Sequence, residues 1–509
     1  MSSDRLQQPD PHAFPTKQLT ILAICRFSEP IAFNSILAYT YVMVTDLQGG
    51  DDTDASFYAG LLVSAYAAAE ALTAIGWGAL SDRYGRKPVV LFGLGGVALS
   101  SLIFGLATEY WVALLARFIG GALNGNVAVM QTMVAEMVKV PEHEPAAYAT
   151  QPFVWTLGGI IGSAMGGFLA QPAVFYPSVF AADGLFGRYP YLLPNLVSVV
   201  AIALAIVQGA LFLEETNPPR EPRPDDALVF AAAADDDDER APLCRREIPG
   251  ADAVEPTFDL RRPEKPPAAP RTFNSTIVMV TVALVLVSYH QMAFGTLLPT
   301  HLLDRPARAP GRLDLVGGLG YTVHDVGVYL SVNGLLGLFV QGVVFPAFVG
   351  RVGVWASFAV NVALYPLAYL LMPFLSAAPR PLVAPGVYLS MALQSFFGII
   401  ALPCALILLK DATPDPRLLG RVNGLAMSAC CLARTVSPPL VGSIYSARGS
   451  AAAWLSCAAV AAIGVAQLPW VPRKHVPDAE LDGNLETAAR KTASGLQDGG
   501  DRASPLVAE

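Results

Sequence analysis

Apolar runs of about 20 residues or more follow one another along most of this chain, separated by short polar stretches. A helix needs about 20 such residues to cross the roughly 30 Å of a bilayer's hydrocarbon core. A soluble core of this size would alternate apolar and polar faces, and most of these runs do not. The pattern predicts an all-α membrane protein with twelve transmembrane helices in two pseudo-symmetric six-helix bundles. The expected spans are 18–44, 57–80, 88–108, 111–138, 148–170 and 190–213, then 274–302, 324–349, 354–376, 382–409, 419–446 and 450–471. The chain thus divides into an N-terminal tail (1–17), a first bundle (18–216), a polar linker (217–272), a second bundle (273–471) and a polar tail (472–509). The linker is rich in Pro, Asp, Glu and Arg. It has too little apolar surface to offset the entropy of ordering, so it is expected to be disordered.

Composition narrows the class. Of the 509 residues 53% are hydrophobic and 15% charged, against about 25% charged in a typical soluble chain. The net charge of −8 arises largely in the polar segments, where "DDDDER" (235–240) reads as a solvated acidic run. Five of the six cysteines sit inside apolar runs, and no CxxC or Cys/His spacing occurs, so neither a disulfide framework nor a metal site is expected. The N-terminus has no apolar core followed by small residues, so no cleaved signal peptide is expected. There is no GxSxG, HExxH or phosphate-cradling GxxxxGK[ST], which argues against an enzyme and against ATP-driven transport. No cofactor and no nucleic-acid partner are expected.

Lys and Arg in short loops set the orientation. Lys17, Arg83, Arg86, Lys87, Lys139, Lys410, Arg417, Arg421, Arg473 and Lys474 all fall on one side if the N-terminus is cytoplasmic. "DRPARAPGRLD" (304–314) runs against the bias, with three arginines on the expected outer side. Both termini are expected inside, in a plasma or vacuolar membrane. The densest charge lies in "GALSDRYGRKPVV" (78–90), a very short turn between the second and third spans, where Gly85 permits a tight reversal.

That turn, Gly78-Ala-Leu-Ser-Asp82-Arg83-Tyr-Gly85-Arg86-Lys87, resembles the signature of the major facilitator superfamily between its second and third helices. "LLARFIGGALNG" in the fourth span, with Arg117, is similar to the family's Arg-bearing motif. Gly158, Gly162, Gly166 and Gly167 in the fifth span resemble the glycine-rich motif of the drug–proton antiporter branch, with Ser163 where that motif has Pro. "FLEET" (212–216) is also common in that branch. "RFSEPI" (26–31), "RYPYLLPNL" (188–196), "GRVNG" (420–424) with Asn423 and Gly424, and "ARTVSP" (433–438) with Arg434 and Pro438 resemble fungal relatives of the zinc-induced facilitator-like transporters. The resemblance spans about 18–472. It implies a secondary transporter in which Arg86 pairs with an acid at the end of the fourth helix, here Glu136. It also implies that Asp82 meets the start of the eleventh helix near Leu419 and Gly420, latching the halves in the outward-open state.

Ionisable groups at membrane depth cost about 2.5–3.5 kcal/mol each on insertion scales, so they pair or face the interior. Arg26 and Glu29 are three apart and share a helix face. A structural ion pair and a proton-binding Glu29 both fit, and Pro30 is expected to bend that helix. Glu70 is either a second proton site or a buried, hydrogen-bonded Glu. Arg117 is either part of proton-linked conformational change, as the resemblance implies, or a clamp on carbonyls. The three glycines at spacing four allow close helix packing. By resemblance the first, fourth, seventh and tenth helices line the cavity, making Asn34, Tyr41, Asn124, Gln131, Tyr289, His290, Gln291 and Gln394 candidate liners. His290 reads as a packing residue or as a group titrating near neutral pH.

The function expected is export of a small organic molecule coupled to protons, by a monomer in a lipid bilayer. A transporter-fold sensor, or a uniporter or importer of an organic acid or metal chelate, remains the alternative. Tag accessibility in sealed cells checks the topology: residues 217–272 should be reachable only after permeabilisation, and Asn274 of "NST" should carry no glycan. A linker reachable from outside would sink the six-plus-six scheme.

Overall fold

The computed structural model describes residues 14–50, 53–138, 140, 144–216, 275–309, 312–413 and 419–471. The expected linker and C-terminal tail lie outside these, as do the side chains of 419–421 and 423. Among the described residues, twelve helices are long and apolar enough to cross a membrane. They end within a few residues of the expected limits.

The two six-helix halves repeat one packing scheme. In the first half the first span packs on the fifth, the third on the sixth and the third on the fourth. In the second half the seventh packs on the eleventh, the ninth on the twelfth and the ninth on the tenth. The halves meet through two symmetry-related pairs, second with eleventh and fifth with eighth. The turns repeat too. Gly85 joins the second span (Ala55–Tyr84) to the third (Arg86–Gly105) at φ 102° and ψ 159°, and Gly353 joins the eighth to the ninth at φ 87° and ψ 158°.

The halves converge closely at one end. The converging end lies away from the termini. There Gly167 and Gly327 bring the fifth and eighth spans into backbone contact, and Gly442 packs on the Ser56 backbone of the second. At the end carrying the termini, Gly76, Gly78 and Gly424 have no neighbouring group against them, and Leu72 is 77% exposed.

Two spans expected to be continuous are interrupted. The first runs Thr16–Leu37, turns at 38–39 and resumes as Thr40–Leu47. It passes Pro30 without a break. The fourth splits into Tyr110–Leu123 and Asn126–Met137, with Asn124 at φ −87° and ψ 85°. Asn and Gly are poor helix formers, and "NGN" at 124–126 leaves the chain there without a strong local reason to stay helical. The eighth span holds a π-helical turn at Val340–Val344, just before Pro346. Proline supplies no N–H and crowds the preceding turn, so a wider turn there re-pairs the backbone.

The small residues of the fifth span pack on the first. A Cβ on Gly158 would lie 2.6 Å from Pro30 Cγ, one on Gly162 would meet the Ile31 carbonyl, and one on Gly166 the Ser35 carbonyl. Gly166→Ala should therefore lower the unfolding temperature of detergent-solubilised protein by several degrees. Gly78→Ala, in a helix with open space around it, should leave it unchanged or raise it, because Ala is favoured over Gly in a helix by roughly 0.5–1 kcal/mol. Equal effects of the two would contradict this packing.

Candidate functional site

A buried polar cluster occupies the core of the first half. Arg26 Nη1 pairs with Glu29 Oε2 within one turn of the first span. The break in the fourth span frees the Asn124 side chain to reach sideways. Its Nδ2 donates to Glu29 Oε1 at 2.5 Å, to Tyr66 Oη at 2.8 Å and toward Glu70 Oε1 at 3.4 Å. One amide thus links carboxylates from the first and second spans. Arg26 lies 4.8 Å from the Trp155 ring centroid. Arg117 stacks over Tyr66 (4.5 Å) and Phe33 (5.3 Å), and its Nε donates to the Leu62 carbonyl at 3.4 Å. Such cation–ring contacts contribute about 2 kcal/mol when desolvated. Glu70 is also within electrostatic reach of Arg434 on the eleventh span, across the boundary between the halves. Arg434 itself has Nη2 3.0 Å from Cys431 Sγ.

A second cluster closes the turn after the second span. Arg86 bonds Asp82, Ser81 Oγ (2.7 Å) and Glu136 (3.1 Å). The backbone N–H groups of Arg86 and Lys87 donate to the Glu215 carboxylate at 2.8 and 3.0 Å. An acid there satisfies helix-start donors and complements the dipole. Thr216 Oγ1 donates to Glu136 Oε2 at 2.6 Å and Lys87 Nζ to the Ala210 carbonyl at 2.8 Å. Gly85 is required twice over, by its positive φ and because a Cβ would lie 2.6 Å from Glu215 Oε2. Arg83 stacks at its neighbour Tyr84 (5.5 Å). The expected meeting of Asp82 with Leu419 and Gly420 falls on side chains outside the described residues, as does Asn423.

At the opposite end, Asp304 holds the halves together. Tyr41 Oη donates to its Oδ1 at 2.9 Å across the boundary between the halves, and Tyr445 Oη, from the same half as Asp304, donates to its Oδ2 at 2.8 Å. Beside this, Tyr176 Oη and His324 Nε2 are 2.9 Å apart, and Phe168 and Phe175 pack edge-on against the imidazole.

The structure places the expected cavity liners in different surroundings. Tyr41 belongs to the closed end, because the first span breaks before it. Asn124 is 1% exposed and committed to the carboxylates. Tyr289, His290 and Gln394 are buried, and His290 packs among Tyr365 and Tyr369, with Nδ1 3.0 Å from Tyr369 Oη. Asn34 is half-buried and donates to the Pro30 carbonyl at 2.9 Å. Gln131 and Gln291 are exposed. Pro438 packs its carbonyl on Gly60. Sequence reasoning missed Tyr66, Glu215, Asp304 and Tyr445. "FLEET" marked Glu215 only as an acid ending a span, and Asp304 only as an acid in a loop. Among the described residues no group of three or more His, Cys, Asp or Glu could hold a metal ion.

Residues 22–389 match the family model described as Major Facilitator Superfamily. The chain belongs to the major facilitator superfamily. It is 36% identical to "Major facilitator superfamily multidrug transporter mfsB" of Aspergillus fumigatus, over 94% of this chain and 87% of that protein. It is 29% identical to "Protein ZINC INDUCED FACILITATOR 1" of Arabidopsis thaliana, over 85% of each. A crystal structure of the peptide transporter POT superposes with a TM-score of 0.62 at 16% identity, covering 90% of this chain and 94% of that one, and shares its fold. This facilitator is a multi-pass membrane transporter.

The Asp304 contacts yield a prediction. In the Tyr41→Phe/Tyr445→Phe variant, a reporter cysteine at Ser56, which is buried at the closed end, should react with a water-soluble maleimide severalfold faster than in the parent. The variant loses the Tyr41 bond that crosses between the halves and the Tyr445 bond that orients its acceptor, and one bond to a charged acceptor, at about 1.5–3 kcal/mol, is enough to change that rate. Unchanged labelling would show that glycine-mediated packing alone holds this end.

Proposed function

We propose that this facilitator exports a small organic molecule in exchange for protons, as a monomer with its termini and the 217–272 linker in the cytoplasm. The observation that carries the reading is the pair of carboxylates, Glu29 and Glu70, joined through one Asn124 amide beside Arg26 and Arg117. Glu29 has a cation partner on its own helix turn. Among the described residues the Glu70 carboxylate accepts from Asn124 at 3.4 Å, and it is within electrostatic reach of Arg434 in the other half. A proton on Glu70 turns the carboxylate from an acceptor alone into a group that also donates, and removes the charge that Arg434 meets. Losing it favours approach of Arg434. Proton occupancy would thereby bias how closely the second and eleventh spans meet, and this is the coupling that alternating access needs. With the Lys/Arg-rich side inside, the end that carries the termini faces the cytoplasm, where in this reading cargo enters and the proton leaves. Export rather than import is supported by the name of the Aspergillus relative, a multidrug transporter.

The test uses proteoliposomes with an imposed pH gradient and a panel of drug-like compounds. The parent should accumulate at least one compound, and a protonophore should abolish accumulation. Glu29→Gln and Glu70→Gln should each remove gradient-driven accumulation while leaving exchange down a substrate gradient. If the double variant still accumulates the compound and a protonophore still collapses it, the proton travels elsewhere.

A further inference from the structure

The loop after the seventh span builds a recess that no part of the transport reading uses. It lies at the closed end, away from the termini, and has a volume of about 350 Å³. Arg308 and Arg312 from the loop and Arg380 from the start of the tenth span line it, with Asp314, Ser376 and Tyr321. The loop is pinned in place. Asp314 is 2% exposed and accepts from the backbone N–H groups of Ala307 (2.6 Å), Arg308 (2.9 Å), Val316 (3.0 Å) and Gly317 (3.0 Å). Burial raises its pKa, but those four donors outweigh burial and hold the carboxyl below its ordinary value, so it is ionised at neutral pH. Ser376 ties the loop to the turn before the tenth span, accepting from Asp314 N at 3.0 Å and donating to the Asp314 carbonyl at 3.1 Å.

The arginines around this frame are not spent on carboxylates. All three are exposed, and none forms a salt bridge among the described residues. Arg308 is oriented by donating Nη1 to the Leu313 carbonyl at 3.0 Å. Arg380 is the first residue of a 33-residue helix, where a cation opposes the helix dipole. The oxygens of Asp314, the acid lining the recess, are occupied by backbone donors. Three cations and a helix start therefore line one hollow, whose loop is held by the Asp314 and Ser376 bonds.

We propose that this recess binds a multivalent anion through the guanidinium groups of Arg308, Arg312 and Arg380. The ligand class is a phosphate- or carboxylate-bearing group with at least two negative charges, which planar guanidinium forks recognise best. It is either a soluble anion or the headgroup of an anionic lipid.

The experiment titrates the full chain, in nanodiscs of phosphatidylcholine, with citrate and with inorganic pyrophosphate by calorimetry. At least one should bind saturably, and more weakly as sodium chloride rises. Arg308→Ala/Arg312→Ala/Arg380→Ala should weaken binding by more than about tenfold, each lost bond to a charged group being worth about 1.5–3 kcal/mol. Its unfolding temperature without anion should match the parent's, because all three side chains are exposed. The corresponding triple Lys variant should fall between the two. Nanodiscs containing phosphatidylserine identify the source: competition with the soluble anion supports the site with a lipid headgroup as its ligand, and no competition supports it with a soluble anion. The proposal is overturned if neither anion binds in phosphatidylcholine, or if the triple Ala variant binds as the parent does. A defect in proton coupling leaves this result untouched, since binding is read without transport.

Discussion

A chain crossing hydrocarbon cannot leave backbone amides and carbonyls unbonded, and each such group costs several kcal/mol. Interruptions of a span therefore occur only where the protein itself supplies partners. The break at Asn124 and Gly125 meets that condition. Trp77 Nε1 donates to the Ala122 carbonyl at 2.8 Å, and Gly125 lies against the Trp77 ring, where a Cβ would not fit. With the backbone cared for, the Asn124 side chain is free to bridge Glu29, Tyr66 and Glu70. The same break thus creates both the need for a partner and the amide that gathers the acids. Arg117 stands two turns earlier on the same span and packs on Tyr66 from the other side, so the cluster is held by a rigid helix on either flank of an irregular joint.

The pseudo-symmetry of the halves is backbone-deep and stops at the charges. Gly85 and Gly353 adopt the same turn, one residue between paired helices. Aligned on them, Asp82 matches Gly350, Arg86 matches Val354 and Lys87 matches Trp355. The second half keeps the geometry and drops the ionic clamp. Trp355 Nε1 instead donates to the Val471 carbonyl at 3.2 Å, tying the ninth span to the end of the twelfth. In the first half the corresponding tie between the third and sixth spans is Lys87 Nζ to the Ala210 carbonyl, reinforced by Glu215. The turn geometry is what reversing a helix within one residue demands. The charges are an addition to it on one half only.

What the sequence made legible follows from what is local. Twelve spans, the tight turn at Gly85 and the pairing of Arg26 with Glu29 depend on composition and on spacing along one helix. The Arg86–Glu136 pair came from family resemblance, since nothing local connects residues 50 apart. The break at "NGN" was written in its residues and overridden by the length of the apolar run around it. The break at 38–39 has no such mark: Ala38 and Tyr39 are ordinary helix residues, and both are fully buried by neighbouring spans. Without that break in view, the bond from Tyr41 to Asp304 at the closed end could not be foreseen. Asp304 and Tyr445 meet only because the seventh and eleventh spans pack together, a contact no periodicity encodes.

The two ends of the transporter are held by different chemistry. At the closed end, the bonds between halves are phenol-to-carboxylate and phenol-to-imidazole, set among backbone contacts at Gly167, Gly327 and Gly442. At the other end, the ion pairs that Arg86 makes with Asp82 and Glu136 join parts of the first half, alongside the capping carboxylate of Glu215. Contacts within one half need not break when the halves move, so these can persist through the cycle and keep the second, third, fourth and sixth spans moving as one body. Bonds that cross between halves must be broken in each cycle. Of the two phenol bonds to Asp304, the one from Tyr41 crosses between the halves, while Tyr445 holds the same carboxylate from within the second half. A single phenol bond to a carboxylate is weak enough to be exchanged for water, since a freed Asp304 at the membrane edge is readily hydrated.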